Sequence, residues 1–354
     1  MRRTRNIERG VGVMWATLPL VVACLAAPAC ASKTHHVATR ANVTSRAPPQ
    51  LGEGPVVAMT VPRGADGGPS VAVIDVDGLL INADFTGLSS FGENPVSLFR
   101  ERLDTAAADP CVRAVVVRIN SPGGGVTATD IMWHDLRSFK ARTRLPVVAC
   151  LMDLGAGGAY YLATAADSIV AHPTTVTGGI GVILNVYNLE DAMAQFNLQG
   201  TPVKAGDNID LATPIKPLAP EQRELLQTMC DEFHGRFCRV VREGRPEVDP
   251  DEPTTFDGRV FTARQALERK LIDEIGYLDD AVAMARQMAG VPQAHVVLYH
   301  RTNDRARSAY SITPNSPLQG GVIPMSMPGL DRARLPGFLY LWQPDPTLEK
   351  QVGH

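Results

Sequence analysis

The sequence carries little net charge, few cysteines and no clustered metal ligands. Its 34 basic and 37 acidic side chains give a net charge of -3, with both signs scattered along the chain. This balance provides neither the basic surface with which proteins bind nucleic acid nor an acidic tail. No Cys-x-x-Cys pair occurs and the eight histidines lack ligand spacing, so we predict no metal site, no cofactor and no disulfide framework.

The first 31 residues have the pattern of an export signal. Four arginines between positions 2 and 9 precede Val11–Ala29, an apolar run without charge. The run is too short, and too interrupted by Pro19, to predict a membrane-spanning helix. Small residues precede Cys24 and Cys30, as in the processing site of bacterial lipoproteins, so we expect lipid attachment to one of them. Ordinary cleavage at the end of the run is the alternative, and both predict an exported protein of the bacterial cell envelope.

Composition divides the remaining chain into a tether, a domain and a tail. Residues 32–70 are rich in Pro, Gly, Thr, Ser and Ala without periodicity, which predicts a flexible tether. Between residues 71 and 290, buried strand runs alternate with helical patterns, which predicts an α/β domain with parallel strands and right-handed βα crossovers. Pro220 opens a long helix whose apolar stripe is expected in the core or at a subunit contact. Residues 291–354 predict a last strand and a Pro-rich tail, whose apolar patch Phe338–Trp342 we expect to dock on another surface.

Two glycine-rich segments stand at the ends of successive predicted strands. Asn120–Val126 has the sequence NSPGGGV, and Asp153–Tyr161 has the sequence DLGAGGAYY. Bare backbone lets a ligand approach closely, and amide N–H groups at such turns can stabilise a developing oxyanion. We expect Gly123, Gly124 and Gly158 to supply these amides, beside which an extended peptide could add as a strand. Close packing of a small-residue helix against the sheet is the plainer explanation of the same glycines.

These segments, together with TVTGGIGVI, DGRVFTARQA and LIDEIGYLDDA, resemble the bacterial signal peptide peptidase family, also called protease IV, over residues 71–290. The resemblance implies a Clp-protease/crotonase-like fold, an oligomeric assembly and serine endopeptidase chemistry by a Ser-Lys dyad. In active members a serine directly precedes the Gly-Gly-Tyr-Tyr element, a lysine further along deprotonates it, and a second serine supports the pair. The matching positions here are Gly157, Ile209 and Gly179, so the nucleophile, the base and the supporting residue are all missing.

This loss predicts a pseudo-peptidase that binds extended peptides or signal-peptide remnants without cleaving them, because removing a nucleophile or its base costs roughly a millionfold in turnover. One alternative is an active endopeptidase, either through rewired residues or through a mixed oligomer in which a homologue supplies the dyad. Ser121 and Lys204 are the nearest substitutes, but Ser121 lies in the glycine turn, and an odd offset points Lys204 away from the base position. Another alternative, crotonase-like acyl-thioester chemistry, lacks a suitably placed acidic base.

Overall fold

The computed structural model describes residues 56–61, 68–83, 93–301 and 337–342, all within one compact unit. The predicted export signal, with Cys24 and Cys30, lies outside these residues. The described strands are β1 (Val56–Val61), β2 (Ser70–Leu80), β3 (Val112–Gly125), β4 (Val147–Ala156), β5 (Ser168–Ala171), β6 (Val176–Gly178), β7 (Val260–Thr262), β8 (Glu274–Ile275), β9 (His295–Arg301) and β10 (Leu339–Leu341). The described α-helices are α1 (Pro95–Ala108), α2 (Val126–Thr143), α3 (Gly158–Ala163), α4 (Glu190–Gln195), α5 (Pro220–Gly244), α6 (Ala263–Glu268) and α7 (Leu278–Met288).

The strands form one sheet in the order β1-β9-β2-β3-β4-β5-β8. Every neighbouring pair from β9 to β8 is parallel, and β1 is antiparallel to β9. At the carboxyl ends of the central strands, β6 continues alongside β4, and β10 runs antiparallel to the end of β3. The predicted α/β class, with parallel strands joined by helical crossovers in a single main domain, is confirmed.

Helices cover both faces of this sheet. In β3, Val115 and Val117 belong to the large core formed with α1, α2, α3 and α5, whereas Ala114 and Val116 belong to a smaller core under α7. Successive side chains of a strand point to opposite faces, so burial on both faces explains the uninterrupted apolar run in the sequence. The end of β3 is therefore held from both sides, which fixes the position of the glycine turn that follows.

One strand of the structure differs from the sequence-based expectation. The predicted tether is wrong at Val56–Val61, which forms β1 and pairs in register with β9. A strand of six residues flanked by Pro and Gly resembles a linker in composition, and only its distant partner makes it a strand.

The long helix α5 is buried along only part of its apolar stripe. Phe237 is buried, whereas Leu225 and Met229 are 45% and 42% exposed. The second half of the stripe thus belongs to the core, and the first half remains a predicted subunit contact. No helix in the described part of the chain is long and apolar enough to cross a membrane.

A charged group lies inside the sheet. Asp75 of β2 accepts from the Arg118 guanidinium at 2.6 and 2.7 Å, and both side chains are almost fully buried. Asp77 stands two residues further along the same face of β2. Burial, and secondly the neighbouring Asp75 carboxylate, raise the pKa of Asp77 to about 7.

This raised pKa predicts that the protein loses stability as the pH rises through the acidic range. With an ordinary pKa of 3.8 in the unfolded chain, Asp77 keeps a proton between pH 4 and 7 only in the folded state, so the free energy of unfolding falls across that window. The Asp77→Asn variant cannot titrate. Between pH 4 and pH 8, the free energy of unfolding of the natural chain should therefore fall by on the order of 3 kcal/mol relative to that of the Asp77→Asn variant. Urea unfolding of both chains at the two pH values measures this difference, and an equal pH dependence would contradict the assignment.

Candidate functional site

The glycine-rich segments meet at one end of the sheet. A Cβ placed on Gly123 would lie 2.5 Å from the amide nitrogen of Gly158, and a Cβ placed on Gly179 would lie 3.1 Å from the amide nitrogen of Gly157. At 2.9 Å, the Gly157 amide also donates to the carbonyl oxygen of Gly178, the last residue of β6. We call Gly123, Gly124, Gly157, Gly158 and Gly179 the glycine cluster. It forms because consecutive parallel strands end at the same edge, as the sequence predicted.

Gly157 makes the sharp turn between β4 and α3. Its φ is 57° and its ψ is -127°, a backbone conformation that residues with a side chain adopt only under strain. Hydrolases hold a nucleophilic serine on a strained strand-to-helix turn of this kind, where its oxygen is exposed above the end of the sheet. Here the turn is present, and the residue at its tip has no side chain.

Strand β10 lies on the glycine cluster. It pairs antiparallel with the end of β3, with Tyr340 opposite Gly124 and Leu341 opposite Gly123. On its other edge, the amide and carbonyl of Leu339 exchange two hydrogen bonds of 3.0 Å with Ile183. The expected docking of the apolar patch is confirmed. The patch is held along both edges by backbone hydrogen bonds, as an added peptide strand would be.

The carbonyl group of Tyr340 occupies the space above Gly157. Its oxygen lies 2.5 Å, and its carbon 2.9 Å, from the position that a Cβ on Gly157 would take. The same oxygen lies 2.0 Å from the Cβ position of Gly123, the point that the Gly158 amide nitrogen also approaches. A backbone carbonyl of the chain itself therefore stands where a nucleophile at residue 157 would project.

The side chain of Tyr340 fills a closed aromatic pocket. The residue is completely buried, and its hydroxyl donates to the carbonyl oxygen of Phe233 in α5 at 2.8 Å. Its ring stacks on Tyr161 of α3, with centroids 5.3 Å apart, and packs at 4.8 Å against Phe237. Burial raises the pKa of Tyr340, so the hydroxyl remains a neutral donor at physiological pH.

Comparison with known proteins places these features in a family. Residues 140–292 match peptidase family S49, a segment that includes the Gly157 turn, Gly179 and the whole of helix α5, which lines the aromatic pocket. Over this segment the chain is similar to the signal peptide peptidase (protease IV) family. Its parallel sheet with helical crossovers has the α/β class that the sequence predicts.

Individual relatives agree with the family assignment. Protease 4 of Salmonella typhi is 29% identical over 284 residues, which cover 80% of this chain and 43% of that protein. The putative signal peptide peptidase SppA of Enterococcus faecium is 25% identical over 299 residues, which cover 84% of this chain and 85% of that protein. Among solved structures, a mutant of the 1510-N membrane-bound stomatin-specific protease matches with 14% identity and a TM-score of 0.39, covering 60% of this chain and 83% of that one. This chain spans less than half the length of the Salmonella protein.

The structure brings together two of the three positions that the resemblance predicts to match catalytic residues of active family members. Gly157 and Gly179 are neighbours in the glycine cluster. Ile209, which corresponds to the base, lies in a turn of an exposed segment and is itself 75% exposed. No hydrogen bond or buried-core contact of the described residues joins Ile209 to the cluster.

The residues that could replace the family dyad are engaged elsewhere. Ser121 is completely buried, and its hydroxyl oxygen accepts from the Gly123 amide at 3.1 Å. The Gly123 amide, one of the expected oxyanion donors, is therefore already hydrogen-bonded within its own loop. Lys204 donates to the Asp210 carboxylate at 2.8 Å and to the Asp207 carbonyl oxygen at 2.8 Å. Ser121 and Lys204 thus lie near the glycine turn and the predicted base position in sequence, but each makes local hydrogen bonds.

The aromatic pocket is the part of the site that sequence reasoning missed. Tyr161, from the family's Tyr-Tyr element, is held by a 2.6 Å hydrogen bond from its hydroxyl to Asp130 of α2. Arg236 of α5 donates to the same carboxylate oxygen at 2.6 Å, so the ring that stacks on Tyr340 is fixed from three elements. The only sequence signal was the isolated apolar patch in the tail, which indicated docking without indicating where.

Proposed function

We propose that this chain is a peptide-binding pseudo-peptidase of the bacterial cell envelope. It holds extended peptides, such as signal-peptide remnants, beside the glycine cluster and does not hydrolyse them. The observation that carries the proposal is that the Tyr340 carbonyl oxygen lies 2.5 Å from the point that a Cβ on Gly157 would occupy. The envelope location is supported by the export signal in the sequence.

The way in which β10 is held supports the binding part of this proposal. Antiparallel pairing with Gly123–Gly125 on one edge and with Ile183 on the other uses backbone groups alone, apart from the tyrosine pocket. Backbone pairing gives affinity for any extended peptide, whereas individual side-chain pockets give selectivity. The groove is built from β3, α3, α5 and the residues after β6, so its walls come from the main domain and not from the tail that fills it.

The chemistry of the site supports the lack of turnover. Hydrolysis by this family's mechanism needs a nucleophile and a base, and the corresponding positions offer a hydrogen atom at Gly157 and an exposed alkyl chain at Ile209. What is left is a groove with backbone amides, which by itself gives only a small rate above that of water. Activity in a mixed oligomer, with an active homologue supplying the dyad, is the alternative that family membership favours.

The test uses the full chain purified from the membrane fraction of the cells that make it. We expect no cleavage of casein and no covalent labelling by a serine-reactive fluorophosphonate, while an active member of the family, treated in the same way, does both. Recovery from the cytosol would contradict the envelope location. Labelling of the pure chain would contradict the loss of the nucleophile, and an active homologue whose labelling and casein cleavage increase when this chain is added, relative to the homologue alone, would support the mixed oligomer.

A further inference from the structure

The carboxyl group of Asp77 has an oxygen atom that is buried without a hydrogen-bond partner among the described residues. This oxygen, Oδ2, is shielded from solvent near the carboxyl end of β2. A buried carboxylate oxygen without a partner is costly when the group is charged, and a proton removes most of that cost. The geometry therefore favours a neutral Asp77 side chain in the folded protein.

Charged side chains of three neighbouring elements face this carboxyl group. On its own strand and on β3, Asp75 and Arg118 form the buried ion pair, and Arg102 of α1 donates to the carbonyl oxygen of Asp75 at 2.9 Å. Helix α7, which covers the same face of the sheet, contributes Asp280, whose carboxylate accepts from the backbone at its own helix start. Burial, and then the Asp75 carboxylate, raise the pKa of Asp77 to about 7 against the opposing effect of the two guanidiniums.

Asp77 stands at the last regular pair of β2 and β3 before the glycine turn. It lies opposite Asn120, and the register between the two strands shifts directly after this pair. Beyond the shift the backbones pack closely, since a Cβ on Gly124 would lie 2.0 Å from the carbonyl oxygen of Leu80. The end of β2 thus holds the glycine turn by direct backbone contact, so a movement of Asp77 is passed on to the turn.

We infer that Asp77 is a positioning residue for the glycine turn, whose neutral side chain keeps the end of β2 against the turn and whose ionised side chain releases it. An ionised Asp77 gains hydration by leaving its buried position, and the residues that follow it in β2 must move as well. This device controls the shape of the turn and goes beyond the proposed function, under which a peptide beside the turn would be released as the pH rises.

The direction of the pH dependence follows from the two states of the turn. In the closed turn the pKa of Asp77 is about 7, and in an open turn exposed to water it returns towards its ordinary value of 3.8. The free energy that keeps the turn closed therefore falls as the pH rises from about 4 to about 7, and it levels off at higher pH.

Hydrogen exchange followed by mass spectrometry, on the full chain at pH 6 and pH 8, measures this opening. The natural chain is compared with Asp77→Asn, which has nearly the same shape and cannot ionise, so the ordinary pH dependence of exchange cancels in the ratio of the two rates. For peptides that cover residues 121–125, the ratio of natural to variant rate should be about tenfold larger at pH 8 than at pH 6. The control Asp279→Asn removes an exposed carboxylate at the start of α7, and its ratio should be the same at both pH values.

The outcomes separate this inference from the proposed function and from the stability of the whole fold. An unchanged ratio at residues 121–125 would overturn the inference, even where urea unfolding shows that Asp77 titrates with the whole fold. An equal increase in peptides of every strand, all exchanging at one rate, would also overturn it, because Asp77 would then act only through global unfolding. Failure of the chain to bind peptides would leave the exchange result as it is.

A second comparison applies if the Asp77→Asn chain does not fold. The natural chain is then compared with unstructured synthetic peptides of the same sequences, which report the ordinary pH dependence of exchange. The additional increase of about tenfold between pH 6 and pH 8 should appear at residues 121–125, and its absence would overturn the inference.

Discussion

Replacing Gly157 with alanine should drive β10 out of the groove. The new Cβ would lie 2.5 Å from the Tyr340 oxygen and 2.9 Å from its carbon, and both contacts are to backbone atoms that no side-chain rotation can relieve. The three-residue β10 pairs with one strand, β3, and is bridged on its other edge by Ile183 alone. We expect the main domain to stay folded and the tail strand to leave.

The cost of this substitution has two parts. A left-handed φ for alanine costs about 1 to 2 kcal/mol. Losing the buried ring of Tyr340 from its pocket costs roughly 3 kcal/mol more. Together these make Gly157→Ala one of the most destabilising single changes expected in this chain, although it adds a single methyl group.

Hydrogen exchange followed by mass spectrometry measures the release of the tail. Peptides that contain residues 339–341 should lose protection in the Gly157→Ala chain, while peptides from the buried centre of β3 keep theirs. The matched control is Gly290→Ala. Gly290 has a similar φ of 66°, but a Cβ there would meet nothing within 4 Å, so the control carries a positive φ without the collision. Loss of tail protection in both variants, or in neither, would contradict the steric link between Gly157 and Tyr340.

The central sheet could be predicted from the sequence because its signals are local and strong. Runs such as Ala114–Ile119 are buried on both faces, and the Asn94-Pro95 pair is a typical helix start, with the Asn94 side chain accepting from two backbone amides of α1. Strand β1 could not be predicted in this way. Its pairing with β9 joins segments about 240 residues apart, and neither segment alone indicates its partner.

The site, like the sheet, could be predicted from the sequence only in part. The meeting of the two glycine turns follows from the rule that neighbouring parallel strands end together, so the positions of Gly123 and Gly157 could be anticipated. The occupant could not, because β10 comes from the far end of the chain and its patch of apolar residues fits many docking surfaces. The Gly123 amide was expected to be a free donor, and its bond to Ser121 depends on the local shape of the loop.

The missing nucleophile and the docked tail are physically linked. The carbonyl of Tyr340 can approach the turn this closely because residue 157 has no side chain. In the proposed function, the residue that removes the nucleophile is therefore also the residue that lets a backbone carbonyl occupy the turn.

Restoring all three positions should produce a peptidase that first cuts its own tail. In the Gly157→Ser, Gly179→Ser, Ile209→Lys variant the new Cβ should displace β10, as in Gly157→Ala, and the tail would be cut when it re-enters the groove with the Tyr340 carbonyl carbon within reach of the new hydroxyl. The serine oxygen would bond to that carbon, the bond to the Leu341 nitrogen would break, and the proton taken up by the introduced lysine would pass to the leaving amine. Water would then release the new carboxyl end at residue 340. We expect a turnover at least about a thousandfold above that of the natural chain, because the groove and its amides are already in place.

Partial restoration is the control for this prediction. Nucleophile and base act as a unit, so Gly157→Ser alone and Ile209→Lys alone should each remain as silent as the natural chain. Intact-mass spectrometry of the purified chains gives the readout, since self-cleavage releases residues 341–354. Casein cleavage measures turnover once the tail has gone. Ile209 lies in an exposed turn, so the introduced lysine acts only if that segment closes over the glycine cluster. A triple variant that loses tail protection yet leaves both the tail and casein uncut would show that residue 209 is not the position of the base.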